Sequence, residues 1–251
     1  MIEPNDTINT VTNPTEAVRE FVGAQFIEWL LEYLKHDMAK WPVVTDLKKI
    51  ETSPSKIKKF ALQLSLAAAA FLGSDADPGF LNFAIGNLSE SDDPEAESAL
   101  EILEKRFEDE RSRAAATVQS WTRLLMALGS TEEEITRTDS KEATRNYIAE
   151  LSEIFSNSDW PTALGAIAAY DLSVAEEYRL ISSLIQKNTL ASPKDLEILT
   201  EHDNHSSVLE LGYVLEKIVF DPENKKLIWD GAQKQLQARQ GLLNGLTKYL
   251  H

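Results

Sequence analysis

DPEAESALEILEKRFEDERSRAAATVQSWTRLLMALG, residues 93–129, is the stretch on which the fold turns. Asp93-Pro94 opens it as helices open: an aspartate can accept from the free amides of a first turn, and proline fits where no amide hydrogen is needed. Beyond that, Leu100, Leu103, Phe107, Ala114, Trp121, Leu124 and Leu128 recur at steps of three and four, which aligns them on one face of an α-helix. Gly129 supplies the stop. The stretch predicts one long amphipathic helix.

The same signals repeat on both sides. Upstream they predict helices over about 15–39, ending before Trp41-Pro42, then from Ser53-Pro54, then over 78–89. Downstream, a brief helix starts at Ser130-Thr131-Glu132-Glu133 and another spans 141–155. Asp159-Trp160-Pro161, Ser192-Pro193 and Asp221-Pro222 open three more, reaching about 187, 220 and 249. No run of alternating β-branched residues lies between turn signals, so no strand is predicted. The expectation is an all-α protein, a single compact bundle of seven to nine helices. Residues 1–13 read as a flexible tail and 14–251 as one domain, with no internal repeat and no Gly-, Ser- or Pro-rich linker.

Composition narrows the function. A net charge of −16 and no Lys/Arg-rich run argue against nucleic acid and against an anionic membrane surface. The absence of cysteine removes disulfides, thiolate metal sites and thiol nucleophiles, and suits a cytoplasmic location. The polar first residues lack the pattern of a signal peptide, and the longest uncharged stretch, 60–74, is too short to span a bilayer. No HExxH, GxSxG or Gly-rich phosphate loop occurs.

The informative residues break the apolar stripes. Glu110 and Thr117 fall on the face that carries Leu100 to Leu128, so both are predicted to point inward. An inward carboxylate needs a cation, a metal or a raised pKa. Asp171 sits in the middle of the stripe Leu164, Ile167, Ala168, Val174, Ala175 and Tyr178. His202 and His205 share a face of the helix that carries Ile198, Leu199, Leu215 and Ile218. Two imidazoles and a carboxylate, with a second carboxylate assisting, can hold a non-heme iron with open positions for substrate and oxygen. Equally, a neighbouring arginine, tyrosine, carbonyl or water satisfies most isolated polar groups in helical cores.

On four segments, 93–112, 121–135, TALGAIAAYDLSVAEEY at 162–178 and TEHDNHSSVLELG at 200–212, the chain resembles the heme-oxygenase-like fold. The nearest resemblance is to its CADD-like, iron-containing redox enzymes, which are related to TenA and PqqC. The resemblance implies a di-iron oxidase, ligated by a glutamate and a histidine seven residues on, a second glutamate, and an H-x3-D-x2-H run. Glu110 matches the first glutamate, Asp171 stands at the second, His202 at the aspartate and His205 at the last histidine. Thr117 and Ile198 occupy the two remaining ligand positions, which leaves at most one well-held iron or manganese. It also implies a homodimer. His36 alone could serve as a proximal heme ligand, and it reads instead as a complement to its helix dipole. A TenA-type thiaminase would need a cysteine. Three functions remain: an oxygen-activating iron oxidase of a small organic substrate, a metal-free pseudoenzyme or small-ligand-binding protein, and a cofactor-free PqqC-like oxidase using His202 or His205.

Overall fold

The computed structural model describes residues 13–72, 79–156, 159–200 and 206–251. Among them are twelve helices and no strand. In chain order the helices are α1 (Pro14–Glu20), α2 (Ala24–Ala39), α3 (Pro42–Lys49), α4 (Pro54–Leu72), α5 (Gly79–Ser89), α6 (Pro94–Ala127), α7 (Glu132–Arg137), α8 (Glu142–Ser156), α9 (Trp160–Asn188), α10 (Glu197–Thr200), α11 (Ser206–Ile218) and α12 (Pro222–Thr247). The all-α expectation holds. The expected seven to nine helices is too few, for local reasons. Gly23 takes a φ of 54°, which a side chain disfavours, and divides the first helix into α1 and α2. Pro42 starts a helix as well as stopping one, and α3 is too short to show a stripe in sequence. The segment expected from Pro193 begins its helix only at Glu197, and it contributes both α10 and α11.

The caps largely follow the sequence chemistry. Asp93 accepts from the Glu95 amide at 3.0 Å and Asp221 from the Glu223 amide at 2.9 Å. Thr131 and Glu134 close a reciprocal capping box on α7. Asp159 differs, making no side-chain cap bond to α9.

α9 lies at the centre. Of its 29 residues 20 are buried, and from Pro161 to Ala175 it is covered on all faces rather than along one stripe. α12 packs along it most extensively, and two glycines explain how. Gly165 of α9 abuts the backbone of Ile228, and Gly231 of α12 abuts the backbone of Thr162. A Cβ at either position would run into a carbonyl oxygen. Backbones that meet here, with Glu177 and Arg239 paired further along both helices, make α9 and α12 run in the same sense. α6 is covered less evenly. Leu103, Trp121, Leu124 and Leu128 are buried, whereas Phe107, Glu110, Ala114 and Thr117 in the middle of its stripe are half-buried. The buried apolar side chains form one connected cluster.

Candidate functional site

The half-buried middle of α6 faces the carboxylate of α9. Arg106 and Glu110 lie one turn apart on α6, so their side chains share a face. The Arg106 Nε donates to Glu110 Oε1 at 2.7 Å. Its two terminal nitrogens reach across to α9, Nη1 donating to Asp171 Oδ2 and Nη2 to Oδ1, both at 2.6 Å. This is the fork-on-fork geometry that guanidinium and carboxylate favour. Exposure falls from 27% for the Glu110 side chain to 14% for Arg106 and 7% for Asp171. The two carboxylates hold the Arg106 guanidinium protonated, against the pull of burial. Burial pushes the Glu110 carboxyl above its usual range, opposed by Arg106. The second oxygen of Glu110, Oε2, is buried and has no hydrogen-bond partner among the described residues.

Two of the four expected site residues, Glu110 and Asp171, therefore meet, joined through an arginine that sequence reading did not single out. His202 and His205 lie outside the described residues. Thr117 is half-buried, and Ile198 packs in the core at 3% exposure. Among the described residues no three His, Asp or Glu side chains are grouped to hold a metal ion. The carboxylates fit such an ion poorly, because both Asp171 oxygens and Glu110 Oε1 already accept from Arg106. A second cation beside that guanidinium would meet like-charge repulsion.

A second polar group lies deeper. Glu177 of α9 and Arg239 of α12 are both 0% exposed, and Arg239 Nε donates to Glu177 Oε2 at 2.7 Å. Arg239 Nη1 donates to the Tyr147 hydroxyl of α8 at 3.2 Å, and Gln235 Nε2 donates to the same oxygen at 3.3 Å. The Arg239 guanidinium also lies 5.4 Å from the Tyr147 ring centre and 5.8 Å from that of Tyr170. Burial raises Glu177 to about 7, with Arg239 pulling the other way. The stripe of α12, Ile228, Ala232, Gln235, Arg239, Leu242 and Leu246, carried this signal in the sequence. Glu177 left none, because it lies beside the stripe read in α9, on a second buried face with Tyr170, Ser173, Ile181 and Leu184.

An all-helical bundle of this arrangement is the heme-oxygenase-like fold. Three solved structures share it. One is a domain of unknown function with that fold from Shewanella denitrificans OS217, at TM-score 0.66 and 14% identity, covering 95% of this chain and 94% of that one. Another is a CADD-like protein of unknown function from Nostoc punctiforme PCC 73102, at TM-score 0.66 and 18% identity, with 88% and 97% covered. The third is a TenA homologue from P. horikoshii OT3, at TM-score 0.56 and 15% identity, with 89% and 100% covered. A search of curated protein sequences finds no match. The TENA/THI-4/PQQC family model matches residues 28–212, and the chain belongs to that family.

Proposed function

We propose that this family member works without a metal and binds a small organic molecule at the Arg106–Glu110–Asp171 site. The observation that carries this reading is the Arg106 guanidinium, seated between the carboxylates where a cation would be expected. One arginine between two carboxylates leaves a formal charge of −1 on these three side chains, part of it offset by Arg113, and the buried Glu110 Oε2 has no partner among the described residues. Both features favour a ligand that brings a hydrogen-bond donor or a positive charge, such as a small amine.

A second reading keeps Glu110, Asp171, His202 and His205 as ligands of one iron or manganese ion in an oxygen-activating oxidase of a small substrate. Glu110 Oε2, without a partner among the described residues, favours it. The PqqC-like alternative would use His202 or His205 as acid–base groups, with no ion. In either reading 14–251 is one domain, the protein is cytoplasmic, and it works as a homodimer, which light scattering would check; the tail expected at the N-terminus lies outside the described residues. No helix among the described residues is long and apolar enough to cross a membrane.

Elemental analysis of protein expressed in iron-supplemented medium tests the choice. The expected result is iron and manganese well below one ion per chain. Thermal unfolding with a panel of small primary amines should then reveal a stabilising ligand, worth about 2.7 kcal/mol at a hundred times its dissociation constant. That shift should vanish in Glu110→Gln. About one iron per chain, lost in a His202→Ala/His205→Ala variant, would overturn the proposal in favour of the oxidase.

A further inference from the structure

The deep group around Glu177 and Arg239 leaves three polar atoms buried and without a hydrogen-bond partner among the described residues: Glu177 Oε1, Gln235 Oε1 and Arg239 Nη2. They belong to one neighbourhood. Glu177 Oε1 is the second oxygen of a carboxylate whose first is 2.7 Å from Arg239 Nε, and Nη2 is the terminal nitrogen that Tyr147 does not engage, on a guanidinium that the Tyr178 hydroxyl also faces. Gln235 stands one turn before Arg239 on α12, and its amide nitrogen bonds the same Tyr147 hydroxyl. Two of the three atoms are acceptors and one is a donor.

We infer that this cluster is a binding site for one internal water molecule, which donates to Glu177 Oε1 and Gln235 Oε1 and accepts from Arg239 Nη2. The match is one of valence. Water has two hydrogens to give and lone pairs to receive, and an internal water typically makes about three hydrogen bonds to otherwise unsatisfied groups. The Glu177 and Arg239 side chains are 0% exposed, so bulk solvent does not serve these atoms in its place. The water joins α9 to α12 where Tyr147 already ties α8 to α12, and it belongs to the folded core rather than to the Arg106 site.

High-resolution diffraction from crystals of the full chain tests this directly, through density about 2.7–3.2 Å from all three atoms. Water-to-protein cross-relaxation at the Gln235 side-chain amide and the Arg239 Nε–H provides a solution readout. The expected result is a cross-peak with the sign of a slowly exchanging water, lost in Gln235→Leu while the helical circular dichroism is retained. Density showing Glu177 Oε1 bonded directly to Arg239 Nη2 or to the Gln235 amide, with no water between, would overturn the inference. So would an absent cross-peak when both proton signals are resolved. If Gln235→Leu does not fold, the diffraction result decides.

Discussion

Glu177 holds a proton more tightly in the folded protein than in the unfolded chain, since burial lifts it from 4.5 to about 7. Its contribution to stability is therefore complete below about pH 4.5 and is lost as the pH rises through about 7. Between those limits unfolding free energy should fall by on the order of 1–3 kcal/mol, in a curve that Glu177→Gln flattens. Urea titrations of both proteins across this range would check it, and parallel curves would remove Glu177 as the cause. The reading of single residues succeeded where a polar group interrupts a stripe with one buried face. Glu110 and Asp171 were found that way, and the required counter-charge was anticipated as a cation or a metal. Arg106 brings a cation to both carboxylates, and it lies off the stripe yet one turn from Glu110, where periodicity gives it no weight. Glu177 was hidden because it lies on a second buried face of α9, with Tyr170, Ser173, Ile181 and Leu184, beside the stripe that the sequence showed.

At the scale of elements, α9 and α12 show how glycine acts by position rather than by propensity. Gly165→Ala and Gly231→Ala should each destabilise by roughly 1–3 kcal/mol or more, because the added methyl meets a backbone carbonyl that cannot move alone. Gly241→Ala, on the same α12 but exposed and with nothing within 4 Å of its would-be Cβ, should stabilise by about 1 kcal/mol. Opposite signs on one helix separate close packing from helix propensity, and denaturant midpoints of the three variants would show it. Equal effects at all three sites would contradict the backbone contact. Helix starts were legible because aspartate, serine or threonine near proline or glutamate repeats at them. Interruptions were less so. The break at Gly23 depends on a left-handed φ that the sequence TEAVREFVGAQFIEWL does not announce, and α3 is too short for periodicity to register.

For the whole molecule, charge is the property that acts at long range. Forty-one acidic residues against twenty-five Lys and Arg leave −16 on 251 residues, so the folded chain concentrates a repulsion that the unfolded chain spreads out. The ion pairs that oppose it are of two kinds. Pairs such as Arg137–Glu133 and Arg19–Glu20 are exposed, and pairs of that kind are worth about 0–1 kcal/mol each and weaken with salt. Arg239–Glu177 and Arg106–Asp171 are buried or nearly so, and salt reaches them little. Added salt should therefore relieve the general repulsion more than it weakens the pairs. Raising sodium chloride from low concentration to about 0.5 M, where the screening length falls to a few ångströms, should raise the thermal midpoint. Sodium chloride rather than sulfate is the appropriate salt, since sulfate strengthens apolar burial by itself. Repeating the series near pH 4.7, the isoelectric point, should largely abolish the gain, because little net charge is left to screen. A midpoint that falls with salt at neutral pH would mean that surface pairing, not repulsion, dominates the electrostatics of this bundle.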